Sequence, residues 1–172
     1  EIKKVGKQRE IQSSFRKKNN TPLVSIVGYT NAGKSTLLEK ITESKTYVAN
    51  ELFATVDSLQ RELKVDDLSE PIIISDTVGF IQNLPTTLID SFKSTLTVVK
   101  EANLLIHVVD AASAIPEMHI STVHEILKQI ESNVEELLVF NKIDKIDKAS
   151  LNFLQEKYCL LYTSDAADER NS

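Results

Sequence analysis

The chain has 172 residues, 41% of them apolar and 26% charged, with a net charge of −5 and a single cysteine, Cys159. That length and mixture suit one globular domain with a buried core. The lone cysteine excludes a disulfide framework and a thiolate zinc site, and no apolar run approaches the roughly 20 residues of a membrane span. The basic N-terminus lacks the apolar core of a signal peptide, so a cytoplasmic protein with no membrane partner is expected.

Residues 1–20 carry seven Lys or Arg (Lys3, Lys4, Lys7, Arg9, Arg16, Lys17, Lys18) against Glu1 and Glu10, a net of +5 that leaves −10 for the rest. This reads as a basic helical linker, either a solvated face or a segment that meets nucleic-acid phosphates. Asn19-Asn20-Thr21-Pro22 breaks the pattern, and the domain proper is expected over 21–158. The apolar run Leu23-Val24-Ser25-Ile26-Val27 predicts a buried strand. It feeds directly into Gly28-Tyr29-Thr30-Asn31-Ala32-Gly33-Lys34-Ser35, a G-x-x-x-x-G-K-[S/T] phosphate loop. Its glycines let successive N–H groups face phosphates, Lys34 reaches the β- and γ-phosphates, and the Ser35 hydroxyl suits Mg²⁺. A helix over Lys34–Glu43 follows, with Leu37, Leu38 and Ile41 on one face.

Ser58–Val65 alternates like a half-buried strand, and Asp66-Asp67 suggests a hairpin into Pro71–Ser75, whose Ile72-Ile73-Ile74 reads as buried on both faces. Asp76-Thr77-Val78-Gly79 closes that strand. An aspartate there can hold a Mg²⁺-bound water, and Gly79 can bring its N–H to the γ-phosphate. Helices and strands then alternate: a helix at 87–101, a strand at 104–109, a helix at 116–132, a strand at 136–140, a helix at 148–157 and a strand at 158–161. The predicted fold is α/β, a P-loop nucleoside-triphosphatase of the Ras-like, three-layer kind. Its sheet is expected to have six mostly parallel strands with the ligand at their carboxyl ends, and by resemblance to proteins of that fold a final helix is expected that the sequence does not clearly present.

Asn141-Lys142-Ile143-Asp144 ends the Leu137–Phe140 strand. A carboxylate at 144 can accept hydrogen bonds from both N1–H and the exocyclic amine of guanine, a donor pair that adenine lacks. Asn141 can meet the other edge of the base and tie this loop to the phosphate loop, while the Lys142 stem covers a ring face. GTP and GDP are therefore the expected ligands.

With these motifs in order, residues 22–158 resemble the HflX family of ribosome-associated GTPases, within the translation-factor class. The likeness rests on Val27 through Thr36, on Leu52-Phe53-Ala54-Thr55-Val56-Asp57, on Asp76-Thr77-Val78-Gly79-Phe80-Ile81 followed by Leu84-Pro85, and on His107-Val108-Val109-Asp110-Ala111. The resemblance implies a GTP-driven switch on the large ribosomal subunit and its rRNA, splitting or rescuing ribosomes. It implies Thr36 among the nucleotide contacts, Thr55 as the switch threonine that joins Ser35 and Asp76 around Mg²⁺, and Lys34, Thr55 and Gly79 at the reacting phosphate. Asn31 sits where some related GTPases help hold K⁺. The family attaches a further N-terminal domain through a helical hairpin, of which residues 1–20 would be the remnant.

Phe80 stands where Ras-like enzymes carry a water-orienting glutamine, so slow intrinsic hydrolysis is expected, with the ribosome supplying what is missing. An alternative reading makes GTP mainly a conformational ligand of an RNA-binding or assembly factor. The three histidines are not expected to build a site, since His119 and His124 are five apart on a helix, and Asp110 reads as a turn or cap residue. Residues 159–172 are atypical for the family. The stretch from Cys159 to Glu169 resembles translated adapter sequence and so an artefactual tail; the other reading of Thr163-Ser164-Asp165-Ala166 is a divergent base-backing loop.

Overall fold

The computed structural model describes residues 21–42, 60–64, 71–77, 79–80 and 96–158. In chain order these form β1 (Leu23–Gly28), α1 (Lys34–Ile41), β2 (Gln60–Leu63), β3 (Ile72–Asp76), β4 (Leu104–Asp110), α2 (Pro116–Gln129), β5 (Glu136–Asn141), a 3₁₀ turn (Ile143–Lys145) and α3 (Lys148–Tyr158). Residues 96–100 are also helical. The sheet runs β2-β3-β1-β4-β5. β3, β1, β4 and β5 are parallel, and β2 pairs antiparallel with β3.

This order puts the switch point at β1, whose neighbours β3 and β4 follow it on opposite sides, so a crevice opens at the carboxyl ends of β1, β3 and β4. The three inner strands β3, β1 and β4 are rich in near-continuous apolar runs because both their faces are covered. On one face Ile26, Ile74 and Val108 pack against Leu38 of α1 and Ala32. On the other, Leu23, Val27 and Leu105 meet Val98, Val99, Val123 and Leu127, while Val109 and Phe140 meet Ile120 of α2 and Leu154 of α3. α2 begins with Pro116 in its first turn, where the missing N–H costs nothing.

α2 ends at Gln129 rather than at the expected Ser132. Glu131 turns left-handed at φ 54°, its N–H bonds the Lys128 carbonyl, and the Ser132 N–H bonds the Leu127 carbonyl. That pair of bonds caps the last turn and stops the helix. The expected six strands are five among the described residues. Tyr158 is the last residue of α3 rather than the start of a strand, because its ring turns back to Phe140 at 5.0 Å. Residues 159–161 lie outside the described residues, as do the linker 1–20, the tail 159–172 and most of the helix expected at 87–101. The predicted hairpin is present as the β2–β3 pair.

Leu105 is wholly buried in the centre of the sheet beneath α2. Leu105→Ala is expected to cost about 2–5 kcal/mol of stability; urea unfolding of the two proteins measures it, and a loss below about 1 kcal/mol would mean that this core is loosely packed.

Candidate functional site

The loop between β1 and α1 is shaped by contacts that leave no room for side chains at its two glycines. Gly28, at φ +151°, lies so close to β4 that a β-carbon would stand 2.3 Å from the Val108 carbonyl oxygen. Gly33, at φ +94°, would put one 2.2 Å from the Asn141 amide nitrogen. Both positions demand glycine for conformation and for space. Between them Asn31 adopts a left-handed φ of 60°, and the Thr30 N–H and Phe80 carbonyl bond at 3.0 Å while the Phe80 N–H reaches the Gly28 carbonyl at 3.1 Å. The segment after β3 is thereby stitched to the loop.

Lys34 is buried, and its ammonium donates to the Tyr29 carbonyl at 3.0 Å. Burial lowers its pKa from 10.5 to about 8, with Asp76 pulling in the opposite direction. Gly79 is held close: a β-carbon there would meet Thr30 at 2.9 Å and the Lys34 ammonium at 3.1 Å. The Ser35 hydroxyl donates to Asp76 Oδ2 at 2.7 Å, and Asp76 is wholly buried. Next to it the Thr77 hydroxyl donates to the Ile26 carbonyl at 2.6 Å, locking the end of β3 to β1. A hydroxyl and a carboxylate side by side form a hard-oxygen donor set, which fits Mg²⁺. Thr55 lies outside the described residues.

A second loop, after β5, is strapped to the first. The Asn141 amide donates to the Ala32 carbonyl at 2.9 Å and its carbonyl oxygen accepts from the Lys142 N–H at 2.9 Å. Lys142, left-handed at φ 61°, sends its ammonium to the Asn31 carbonyl at 2.7 Å and to Asp110 Oδ2 at 2.6 Å. Asp144 projects, exposed, from the 3₁₀ turn that follows. Residues more than a hundred positions apart thus make one continuous edge.

Asp110 behaves as the turn residue expected, accepting from the Ala112 N–H at 3.0 Å, but its other oxygen anchors Lys142. Sequence reading missed that second role. The signal lies in the sheet register, which sets Asp110 opposite Asn141. Also unforeseen, His119 of α2 stacks on Tyr29, ring centroids 4.0 Å apart and planes within 8°. Burial lowers the His119 pKa, opposed by Asp110, so the stack is neutral at pH 7. Two of the three histidines, for which no site is expected, nevertheless share a partner. His107 and His124 both reach Glu136, because β4 and β5 supply partners that helical spacing alone cannot reveal.

Phe80 is buried among Leu23, Val27, Val98 and Val99. Its ring lies in the apolar core, where it can orient no water.

Residues 23–142 match the family model described as 50S ribosome-binding GTPase. The chain is 46% identical over 147 residues to GTPase HflX of Escherichia coli, an alignment covering 85% of this chain and 34% of that protein. It is 48% identical over 144 residues to GTPase HflX of Flavobacterium psychrophilum, covering 83% of this chain and 34% of the relative. The chain therefore spans about a third of the length of the curated relatives it matches. Among solved structures it is similar to a GTP-binding protein from the hyperthermophilic archaeon Sulfolobus solfataricus in complex with GDP. There the TM-score is 0.57 and the identity 27%, over 91% of this chain and 48% of that one.

A phosphate anion set against Lys34 would restore the proton that burial disfavours. Nucleotide binding is then expected to take up a proton above about pH 8. Affinity for GDP is expected to be level from pH 7 to about 8 and to fall by up to about tenfold per unit beyond it. Calorimetry at pH 7, 8 and 9 measures this, and equal affinities with no proton uptake would contradict the lysine's assigned place.

Proposed function

The chain belongs to the 50S ribosome-binding GTPase family, as the GTPase domain of an HflX member, and from that premise we propose that it binds Mg²⁺·GTP and hydrolyses it to GDP and phosphate as a switch on the large ribosomal subunit. The observation that carries the reading is the strap between the two loops, Asn141 to Ala32 and Lys142 to Asn31. It joins a phosphate cradle to a loop that offers an exposed carboxylate, Asp144.

In this reading the phosphates lie over the N–H groups of Gly28 through Thr36. Lys34 draws charge from the β- and γ-phosphate oxygens, and Gly79, held near its ammonium, offers an N–H to the γ-phosphate. Water attacks the γ-phosphorus, the bond to the β–γ bridging oxygen breaks, and the negative charge gathers on GDP. Ser35 and Asp76, with Thr55, would hold Mg²⁺, which neutralises charge on the β- and γ-phosphates when bound. Asn141 and Asp144 select guanine while the Lys142 stem covers the ring, its head fixed by Asp110. K⁺ beside the phosphates would rest on Asn31, and equal rates in K⁺ and Na⁺ buffers would remove it.

The burial of Phe80 favours a slow intrinsic rate, since no side chain at position 80 can align the attacking water. It also supports a second reading, in which GTP chiefly sets the conformation of a ribosome- or RNA-binding factor. Under that reading the large subunit would tighten GTP binding without raising the rate of phosphate release. The basic segment 1–20 suits rRNA in either case. Nothing in the base-recognition chemistry calls for DNA.

Calorimetric titration with GDP, GTP and ATP in Mg²⁺ is expected to give guanine-only binding. Asp144→Asn, which exchanges an acceptor pair for a mixed one, should weaken GTP by about 100-fold and favour xanthosine nucleotides instead. Equal binding of ATP, or an Asp144→Asn protein that binds GTP normally, would sink the guanine assignment.

A further inference from the structure

Away from the nucleotide edge, three chemistry-bearing side chains from three elements converge. His107 of β4 directs Nδ1 to Glu136 Oε1 at 2.8 Å, and His124 of α2 directs Nε2 to the same oxygen at 3.0 Å. The imidazoles stand edge to face with centroids 5.7 Å apart. All three potential donor atoms lie within 4.8 Å of one another. We propose that His107, His124 and Glu136 form a binding site for a divalent transition-metal ion of the zinc class, bridging β4, β5 and α2.

The donor set chooses the ion. Two imidazoles and a carboxylate suit zinc and its neighbours, whereas magnesium and calcium demand oxygen ligands throughout. With metal–ligand bonds near 2.1 Å, tetrahedral coordination sets donor atoms about 3.4 Å apart. The 2.8 and 3.0 Å separations need open by only about 0.6 and 0.4 Å to reach that spacing, while the two ring nitrogens, within 4.8 Å of each other, settle to the same value. The parts that must move are the ones free to do so: the His124 side chain is 53% exposed and Glu136 22%, while His107 is fully enclosed. Half-burial of Glu136 raises its pKa, but the hydrogen bonds from His107 and His124 outweigh that and hold it below its ordinary value. The carboxylate is therefore ionised at neutral pH.

The placement is unusual for a purely structural cluster. His107 interrupts an otherwise apolar strand, and its Nε2 has no hydrogen-bond partner among the described residues. A polar ring is thus held in the interior for the sake of Nδ1 alone, the nitrogen that faces Glu136. When a metal takes Nδ1 of His107 and Nε2 of His124, each ring's proton must reside on its other nitrogen or leave, so binding weakens in acid. Three protein ligands leave a fourth position for water on the exposed side. Glu136 stands at the opposite end of β5 from Asn141, roughly 16 Å along the strand, and none of the three residues belongs to the Ser35–Asp76 pair. The site is linked to the nucleotide edge through β4, where His107 lies three residues before Asp110, and through α2, on which His119, about one and a half turns before His124, stacks on Tyr29.

The test uses the whole 172-residue chain carrying Cys159→Ser, which removes the only thiol, in saturating Mg²⁺. Zn²⁺ and Co²⁺ are titrated separately. One equivalent of Zn²⁺ is expected to bind, raise the unfolding temperature and shift the ¹⁵N resonances of His107 Nδ1 and His124 Nε2. Co²⁺ should give the intense visible bands of four-coordination. His124→Ala and Glu136→Gln should each weaken Zn²⁺ by more than about 100-fold, beyond what outer-shell changes cost. His124 is exposed enough that its truncation leaves the fold intact, and Glu136→Gln preserves shape. No Zn²⁺ binding, or binding undiminished in both variants, would overturn the proposal.

Discussion

Two places where backbone meets neighbour too closely for a β-carbon govern the rest of this molecule. Gly28 lies against the Val108 carbonyl, and Gly33 against the Asn141 amide. The first fixes how the phosphate loop leaves β1 beside β4, and the second fixes its far end against the loop after β5. A loop of successive N–H groups has no regular partners of its own, so its shape must be imposed from outside. Here the Phe80 backbone, the Asn141 side chain and the Lys142 ammonium impose it.

Charge is then added to a scaffold already closed. Burying Lys34 costs enough to bring its pKa down to about 8, and Asp76 returns only part of that cost. An ammonium only partly compensated in a low-dielectric cradle is a poor arrangement for stability and a good one for an anion. The same economy governs Asp110, which spends one oxygen on its own turn and the other on Lys142. The loop after β1 and the loop after β5 are therefore mechanically one unit, and the Phe80 ring packs in the core that supports them.

What the sequence disclosed follows the range over which its signals act. β1, the phosphate loop and α1 are consecutive, so strand period, glycine spacing and helix period could be read within 20 residues. The Ile72–Ile74 run marks β3 as an interior strand, and the antiparallel pairing of β2 with β3 agrees with the hairpin expected from the sequence between them. Pairings that depend on sheet register were not legible. Asp110 meets Lys142, and His107 meets Glu136, only because β4 and β5 lie parallel in one particular alignment. Tyr158 was misread as the start of a strand because its local pattern is neutral, and its contact with Phe140 decides the matter. His119 illustrates the same limit, since nothing local ties a helix residue to Tyr29.

The central claim is that this domain is a GTP switch whose missing catalytic help comes from the large ribosomal subunit. The most direct measurement is the rate of phosphate release from Mg²⁺·GTP by the purified chain, with and without large subunits. A slow rate alone and an increase of about 10³-fold or more with large subunits is the predicted result, in line with what outside groups contribute in phosphoryl transfer. A fast rate in isolation, or a slow rate that large subunits leave unchanged, would contradict it.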